Sequence, residues 1–95
     1  MLKHNTYFEG AVQSVGFERN NLHATVGVIA PGEYHFGTAT AERMTVISGE
    51  LRVKLEGGDW RSYAMGTAFE IAANSGFDVQ ASGGPAAYLC EFLGA

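Results

Sequence analysis

Residues 31–55 read PGEYHFGTATAERMTVISGELRVKL, and this stretch decides the fold. A Pro-Gly turn precedes a short aromatic segment that ends at Gly37, and a loop of small residues, 38–41, follows it. After a second apolar segment, Gly49 turns the chain into residues 50–55, where polar and apolar side chains alternate strictly. Alternation with a period of two predicts a strand with one face buried and the other in water. The stretch therefore predicts short strands joined by tight turns.

The rest of the 95-residue chain follows the same pattern, because thirteen glycines and two prolines interrupt short apolar runs. No window carries apolar residues at helical spacing behind a capping residue. We therefore expect one all-β domain over residues 1–95, a barrel or a sandwich. We also expect a strand over residues 7–17 that is interrupted at Gly10 and Gly16 by bulges or bends. Further turns are predicted at residues 20–21, 57–59, 65–66, 74–76 and 82–85.

Charge and cysteine content exclude several classes of protein. The net charge is −4 and the six basic residues form no run, which disfavours binding to nucleic acid or to anionic membranes. No run approaches the roughly 20 apolar residues of a membrane span, and residues 1–10 lack the features of a signal peptide. Cys90, the single cysteine, has no disulfide partner in the chain and fits a reducing compartment. We expect a cytoplasmic protein.

The last predicted strand, residues 86–93, is apolar on both faces. Tyr88, Cys90 and Phe92 lie on one face, and leucines on the other. A strand that is apolar on both sides is covered on both sides, and a chain this short buries only a modest core. Because two-fold dimers dominate homo-oligomers, we predict a homodimer.

The spacing of the central stretch resembles the first sequence motif of the cupins. Gly32 and Gly49 match its two ends, and six residues separate its glutamate, Glu42, from Gly49. The two histidine positions of the motif, however, are occupied by Tyr34 and Phe36. This resemblance implies a single cupin-type domain, an RmlC-like jelly-roll β-barrel.

The second cupin motif would begin at Gly66, and Phe77 occupies its histidine position. His35 should point outward, because neighbouring residues on a strand face opposite ways. A Zn, Fe or Mn site needs several imidazole or carboxylate ligands, which one glutamate cannot replace. We therefore expect no metal ion. A metal site that uses His35 and Glu42 is the alternative.

Glu42 has two interpretations. A carboxylate that faces a barrel interior is costly unless it is paired or meets a ligand, which favours hydrogen bonds to sugar hydroxyls or acid/base catalysis. The alternative is a carboxylate at the rim, in water and paired with Arg43 or Arg52.

Three aromatic residues, Tyr34, Phe36 and Phe77, either belong to the core or line a cavity that suits a flat ring. For His35 we favour an exposed strand residue. For Cys90 we favour a small packed hydrophobic residue over a nucleophile.

Short motifs along nearly the whole chain carry a more specific resemblance. They are NTYFEG (5–10), SVGF (14–17), VGV (26–28), GEYHF (32–36), MTVISG (44–49), Trp60 and YLC (88–90). With these motifs the chain resembles the small cupin-fold pyrimidine/purine nucleoside phosphorylases of bacteria. It departs from them at residues 72–73, where Ala-Ala stands in place of Pro-Gly.

The resemblance implies phosphorolysis: a purine or pyrimidine nucleoside and phosphate give the free base and pentose 1-phosphate. No cofactor is implied, and inorganic phosphate is the co-substrate. Glu42 would be the catalytic residue. The substrate-binding residues would be Tyr34, Phe36, Thr38, Met44, Phe77 and Tyr88.

The ligands of phosphate stay open at this point. Backbone N–H groups, the hydroxyls of Thr38 or Ser48, and the guanidinium groups of Arg43 or Arg52 are candidates. A non-catalytic, metal-free cupin that binds a nucleoside or a sugar is the alternative function, and a purely structural dimer is a further one.

Overall fold

A computed structural model describes residues 2–94 as ten strands and one short 3₁₀ turn. The elements are β1 (Lys3–Tyr7), the 3₁₀ turn (Phe8–Gly10), β2 (Val12–Arg19), β3 (Leu22–Ile29), β4 (Gly32–Gly37), β5 (Glu42–Ser48), β6 (Glu50–Leu55), β7 (Trp60–Ala64), β8 (Ala68–Ile71), β9 (Gly76–Ala81) and β10 (Ala86–Phe92). The all-β prediction is confirmed. Among the described residues, no helix is long and apolar enough to cross a membrane.

The strands form two antiparallel sheets. The larger sheet has the order β1-β2-β3-β10-β5-β8, and the smaller one has the order β4-β9-β6-β7. Strands that are distant in sequence are neighbours, as in a jelly roll: β10 lies between β3 and β5, and β9 lies between β4 and β6. Over residues 2–94 the two sheets stay separate, so the jelly roll is an open sandwich and not the closed barrel that was predicted.

The core lies between the two sheets and follows the alternation of the strands. In β6, Leu51 and Val53 are buried while Arg52 and Lys54 are exposed, as predicted. In β3 the buried face is that of Thr25 and Ile29, and the valines between them point outward. Side chains of both sheets meet here, which is the usual source of stability in a sandwich.

The prediction of one strand over residues 7–17 is wrong. Phe8, Glu9 and Gly10 have φ values of 53°, 56° and 90°, so the chain turns back at this point. Tyr7 pairs with Val12 across the resulting loop, and β1 and β2 form a hairpin. Gly10 thus supplies a left-handed turn position instead of a bulge within a strand.

The other predicted turns are confirmed. Asn20 and Asn21 both have positive φ, at 53° and 65°, and connect β2 to β3 by a two-residue hairpin turn. Such turns need positive φ at both central residues, and asparagine tolerates this better than most residues.

The assignment of the inner face predicts unequal effects of two alanine substitutions in β6. Leu51 is 0% exposed, so Leu51→Ala should lower the free energy of unfolding by about 2–5 kcal/mol. Lys54→Ala, on the opposite face of the same strand, should change it by less than about 0.5 kcal/mol. Chemical denaturation measures both, and equal effects would contradict the assignment.

Candidate active site

One end of the space between the sheets is an open cavity of about 520 Å³. This volume lies in the range of about 300–1,000 Å³ that is typical of small-molecule sites. The residues that line it are Tyr7, Phe8, Ser14, Thr25, His35, Phe36, Gly37, Glu42, Met44, Tyr88, Cys90 and Phe92. The ring of His35 itself points to the outer face of the smaller sheet. Aromatic and other apolar groups dominate this lining, and a few polar groups lie among them.

Glu42 is the acidic residue of the cavity. It begins β5 with its side chain on the inner face and is 9% exposed. The two arginines proposed as its partners lie elsewhere: Arg43 binds Glu70 at 2.8 Å, and Arg52 contacts Gln80. The interpretation of Glu42 as a rim carboxylate paired with either arginine is therefore wrong.

Cys90 is the hydrogen-bond donor to Glu42. Its Sγ lies 3.4 Å from Glu42 Oε1, inside the protein. Burial raises the pKa of Glu42 above that of an ordinary glutamate, and the hydrogen bond from Cys90 opposes this shift. Burial and the nearby Glu42 carboxyl raise the pKa of the Cys90 thiol well above its usual range. The thiol therefore stays protonated at neutral pH and acts as a neutral donor rather than as a nucleophile.

Tyr88 forms another part of the lining, and its position depends on Gly27. A Cβ atom added to Gly27 would lie 2.5 Å from the phenolic oxygen of Tyr88, so only glycine leaves room for this ring. Burial raises the pKa of Tyr88 to about 12, and a hydrogen bond with Ser14 opposes the shift. The phenol is thus neutral and can donate a hydrogen bond.

Aromatic rings surround the mouth of the cavity. Phe8 lies 5.7 Å from Phe36 at a near-perpendicular angle, and 5.0 Å from Tyr34. Phe8 is 47% exposed and has a positive φ, a backbone conformation that is costly for a bulky residue and is often found at functional sites. Phe8 and Phe36 line the cavity, so their rings can contact a ligand in it.

The structure brings together Glu42 and three of the predicted substrate-binding residues: Phe36, Met44 and Tyr88 all line the cavity. Their roles toward a substrate stay predictions.

The other three predicted residues lie outside the lining. The Tyr34 hydroxyl donates to the carbonyl oxygen of Ala30 at 2.9 Å. Thr38 donates to the carbonyl of Ala72 at 2.7 Å and accepts from the backbone N–H of Ser75. Phe77 is 2% exposed and packs 5.6 Å from Phe36. Each of these side chains has a structural partner.

Several lining residues escaped the sequence analysis. Ser14 and Thr25 are inward polar residues of β2 and β3, and both are buried. In β3, Thr25 lies on the face opposite Val26 and Val28, but the alternation of a strand does not by itself say which face is inside. The position of Phe8 in the lining could not be predicted from the sequence, because the predicted strand over residues 7–17 included Phe8.

The metal position of the cupin motifs does not fit a metal ion here. Tyr34, Phe36 and Phe77 offer no ligand for a transition metal. Within residues 2–94, no three His, Cys, Asp or Glu side chains are grouped closely enough to hold an ion. His35 does not join Glu42: its ring points outward, as predicted, and its Nδ1 lies 2.8 Å from Asp78 Oδ1 on the exposed face of the smaller sheet.

Comparison with known proteins agrees with this architecture. An RmlC-like cupin from Shewanella frigidimarina, 15% identical, superposes with a TM-score of 0.76 over 97% of this chain and 83% of its own, which confirms the cupin-type fold. A protein of unknown function from Vibrio parahaemolyticus has a TM-score of 0.94 at 47% identity, over 98% of this chain and 99% of its own.

Sequence relatives carry a functional name. A protein from Anaeromyxobacter sp. (strain Fw109-5), named pyrimidine/purine nucleoside phosphorylase, is 66% identical over 98% of this chain and 89% of its own. The family model described as pyrimidine/purine nucleoside phosphorylase matches residues 2–92. The chain described here therefore belongs to the pyrimidine/purine nucleoside phosphorylase family.

Proposed function

We propose that this protein is a broad-specificity nucleoside phosphorylase, a pentosyltransferase that converts a purine or pyrimidine nucleoside and phosphate into the free base and pentose 1-phosphate. The observation that carries the proposal is the buried carboxyl of Glu42 in a cavity whose mouth is aromatic. The names of the family and of the relatives support it. We further propose that the reaction takes place in the cytoplasm and uses neither a metal ion nor an organic cofactor.

A negative charge next to the sugar would stabilise the transition state of this reaction. A phosphate oxygen forms the new bond to C1′, and the C1′–N bond breaks with its electron pair going to the base. The proton of the hydrogen phosphate ends on the base, so the products balance. Positive charge builds on the sugar as the C1′–N bond breaks, as in glycoside hydrolysis.

The carboxylate of Glu42 would stabilise the positive charge that develops on the sugar. Its pKa is raised because burial disfavours the ionised form, so the carboxylate gains most when a positive charge develops beside it. Such an interaction is stronger in the transition state than in the ground state, and it therefore accelerates the reaction. Hydrogen bonds from ribose hydroxyls to the carboxylate would hold the sugar in place.

Breadth toward bases follows from the aromatic mouth. Phe36 and Phe8 can stack on any base, because every base has a π-face. A pocket built to hydrogen-bond one base would instead reject the wrong base by roughly 10⁴–10⁵. The rings near the entrance suit an enzyme that accepts both purine and pyrimidine nucleosides.

Product analysis tests the proposal. The purified protein is incubated with adenosine and with uridine, each with and without phosphate. We expect adenine and uracil to be released only with phosphate, together with ribose 1-phosphate. Release without phosphate would identify a hydrolase, and binding without turnover would identify the alternative, a non-catalytic cupin that binds a nucleoside.

Glu42→Gln tests the role of the charge. Glutamine keeps the shape and can still hydrogen-bond, so only the negative charge is lost. We expect kcat/KM for phosphorolysis to fall by about 10²–10³, as when one preorganised electrostatic group is removed. Glu70→Gln serves as the matched control, since Glu70 is an exposed glutamate on the adjacent strand β8 and faces outward; it should leave kcat/KM unchanged.

Unfolding measurements separate this effect from misfolding. The pKa of Glu42 is raised in the folded protein, so the folded state binds the proton more tightly than the unfolded chain. The free energy of unfolding should therefore fall as the pH rises from below the ordinary pKa of a glutamate through the raised pKa of Glu42. Glu42→Gln should lack this loss and be at least as stable as the wild type at pH 7. Full activity of a stable Glu42→Gln variant would contradict the assigned role.

The predicted homodimer also becomes a proposal with a defined surface. The outer face of the larger sheet carries Val15, Val26 and Leu89 in one row across β2, β3 and β10, with Val28 beside them. Val26 and Val28 are 40% and 51% exposed. These positions carry no charge, so two copies can face each other without like-charge repulsion. We propose that a second copy of the chain covers this face.

Light scattering coupled to size exclusion tests the dimer. The wild type should elute with twice the mass of one chain. Val26→Arg places a charge in the uncharged row and should give a monomer, whereas Ser62→Arg, on the exposed outer face of the smaller sheet, should not. A monomeric wild type at micromolar concentration would contradict the proposal.

A further inference from the structure

Tyr88 presents a neutral hydroxyl group to the cavity. It lies on the inner face of β10, its ring crosses Gly27 of β3, and its hydroxyl group ends beside Ser14 of β2. Glu42 belongs to β5, on the other side of β10. Since Tyr88 and Glu42 line the same cavity, one part of a ligand can contact the hydroxyl group while another part contacts the carboxyl group.

The proton of the Tyr88 hydroxyl group remains for a ligand. Asn5 on β1 donates from Nδ2 to Oγ of Ser14 at 3.4 Å, and a hydroxyl group that accepts a hydrogen bond still has its own proton to donate. Ser14 directs that proton to the oxygen of Tyr88, because its hydrogen bond lowers the pKa of Tyr88, as a donor to the phenolate does. Each donor in such a chain polarises the next one. Tyr88 is the last member of this chain, and it ends at the cavity.

The other buried donors of the lining, all within residues 2–94, already have partners. Cys90 donates to Glu42, and the hydrogen bond from Thr25 goes to Cys90. Ser14 is the donor to Tyr88 described above. The hydroxyl group of Tyr88 is therefore the buried side-chain donor that the cavity offers to a base.

The hydrogen-bonding atoms of the bases limit what one donor can recognise in both classes of nucleoside. At the edge far from the sugar, adenine carries a donor, the N6 amino group, whereas uracil carries an acceptor, O4, as thymine does. N7 of a purine has no counterpart in a pyrimidine. Next to the sugar the two classes agree, because N3 of a purine and O2 of a pyrimidine are both acceptors and both lie two bonds from the glycosidic nitrogen. An O–H donor that serves both classes has to meet this edge.

The reaction would strengthen a hydrogen bond at this edge. When the C1′–N bond breaks, its electron pair spreads into the ring of the base and adds negative charge at N3 or O2. A hydrogen bond to that atom is therefore stronger in the transition state than in the ground state, which accelerates the reaction. Burial raises the pKa of Tyr88 to about 12, so Tyr88 keeps its proton. The proton that the base takes up still comes from the hydrogen phosphate.

We propose that the hydroxyl group of Tyr88 donates a hydrogen bond to the acceptor that both classes of base share, N3 of a purine or O2 of a pyrimidine. This assignment rests on the proposed phosphorylase function. It adds to the aromatic stacking a contact that does not discriminate between the two classes and that stabilises the departing base.

Binding of deaza-analogues of adenosine tests the proposal without requiring turnover. A C–H group replaces N3 in 3-deazaadenosine and N7 in 7-deazaadenosine. Calorimetry of the wild type without phosphate should give a Kd for 3-deazaadenosine about three- to tenfold higher than for adenosine, since one hydrogen bond is lost. The Kd for 7-deazaadenosine should stay close to that for adenosine. Equal affinities for adenosine and 3-deazaadenosine, or a loss with 7-deazaadenosine alone, would overturn the assignment.

Tyr88→Phe removes only the hydroxyl group and completes the comparison. The variant should bind adenosine and 3-deazaadenosine equally, and its kcat/KM for both adenosine and uridine should fall about ten- to hundredfold. Tyr63→Phe is the matched control and should change neither quantity, since Tyr63 is partly buried against the core, 4.7 Å from Phe69, and lies outside the lining of this cavity. A Tyr88→Phe variant that still prefers adenosine over 3-deazaadenosine, or that loses activity with only one of the two nucleosides, would contradict the proposal.

The two readouts separate this inference from the phosphorylase proposal. If the wild type binds the analogues with the expected preference and makes no product, the phosphorylase proposal fails and the role of Tyr88 in recognition stands. If the wild type releases both bases with phosphate and shows no preference for N3, the assignment of Tyr88 fails alone. Binding of neither adenosine nor uridine would overturn both proposals.

Discussion

The burial of one carboxyl group, that of Glu42, is the constraint on which the site depends. The inner face of β5 carries it into the sandwich, and β10 supplies the Cys90 thiol beside it. A neutral thiol is a weak hydrogen-bond donor, so the ionised carboxylate stays poorly compensated within the chain. Because an uncompensated charge is costly in a largely apolar environment, the cavity favours ligands that bring hydroxyl donors or positive charge.

The packing of aromatic residues around Glu42 shapes the wall of its cavity. Because Gly27 has no side chain, the ring of Tyr88 can lie across β3. Phe77 fills the core behind Phe36 at 5.6 Å, which holds Phe36 at the wall of the cavity. The apolar core of the sandwich thus continues into the wall of the cavity. Its aromatic residues contribute both to stability and to the shape of the site.

Much of the fold could be predicted from the sequence, because local rules decide it. The alternation in residues 50–55 and the paired asparagines at 20–21 both gave elements that the structure confirms. The strand predicted over residues 7–17 failed because a glycine can mark a bulge or a left-handed turn, and only the pairing of β1 with β2 distinguishes the two.

The site was predictable to a smaller degree. The inward position of Glu42 was one of two interpretations that the sequence left open, and the partner of Glu42 could not be predicted. Cys90 is 48 residues away along the chain and comes near through the pairing of β10 with β5. Outside the site, the pair between His35 and Asp78 on the outer face of the smaller sheet has the same origin, since it joins β4 to β9. Contacts between strands that are distant in sequence leave no local pattern to read.

Binding of nucleosides in the cavity that holds Glu42 can be measured at the methyl groups of the methionines. Met44 lines this cavity, whereas Met65 is 67% exposed and lies outside its lining. With ¹³C-methyl methionine, titration of adenosine and of uridine should shift the Met44 signal saturably and leave Met65 in place. Turnover of either nucleoside with no change at Met44, or a saturable shift at Met65 alone, would show that nucleosides bind outside this cavity.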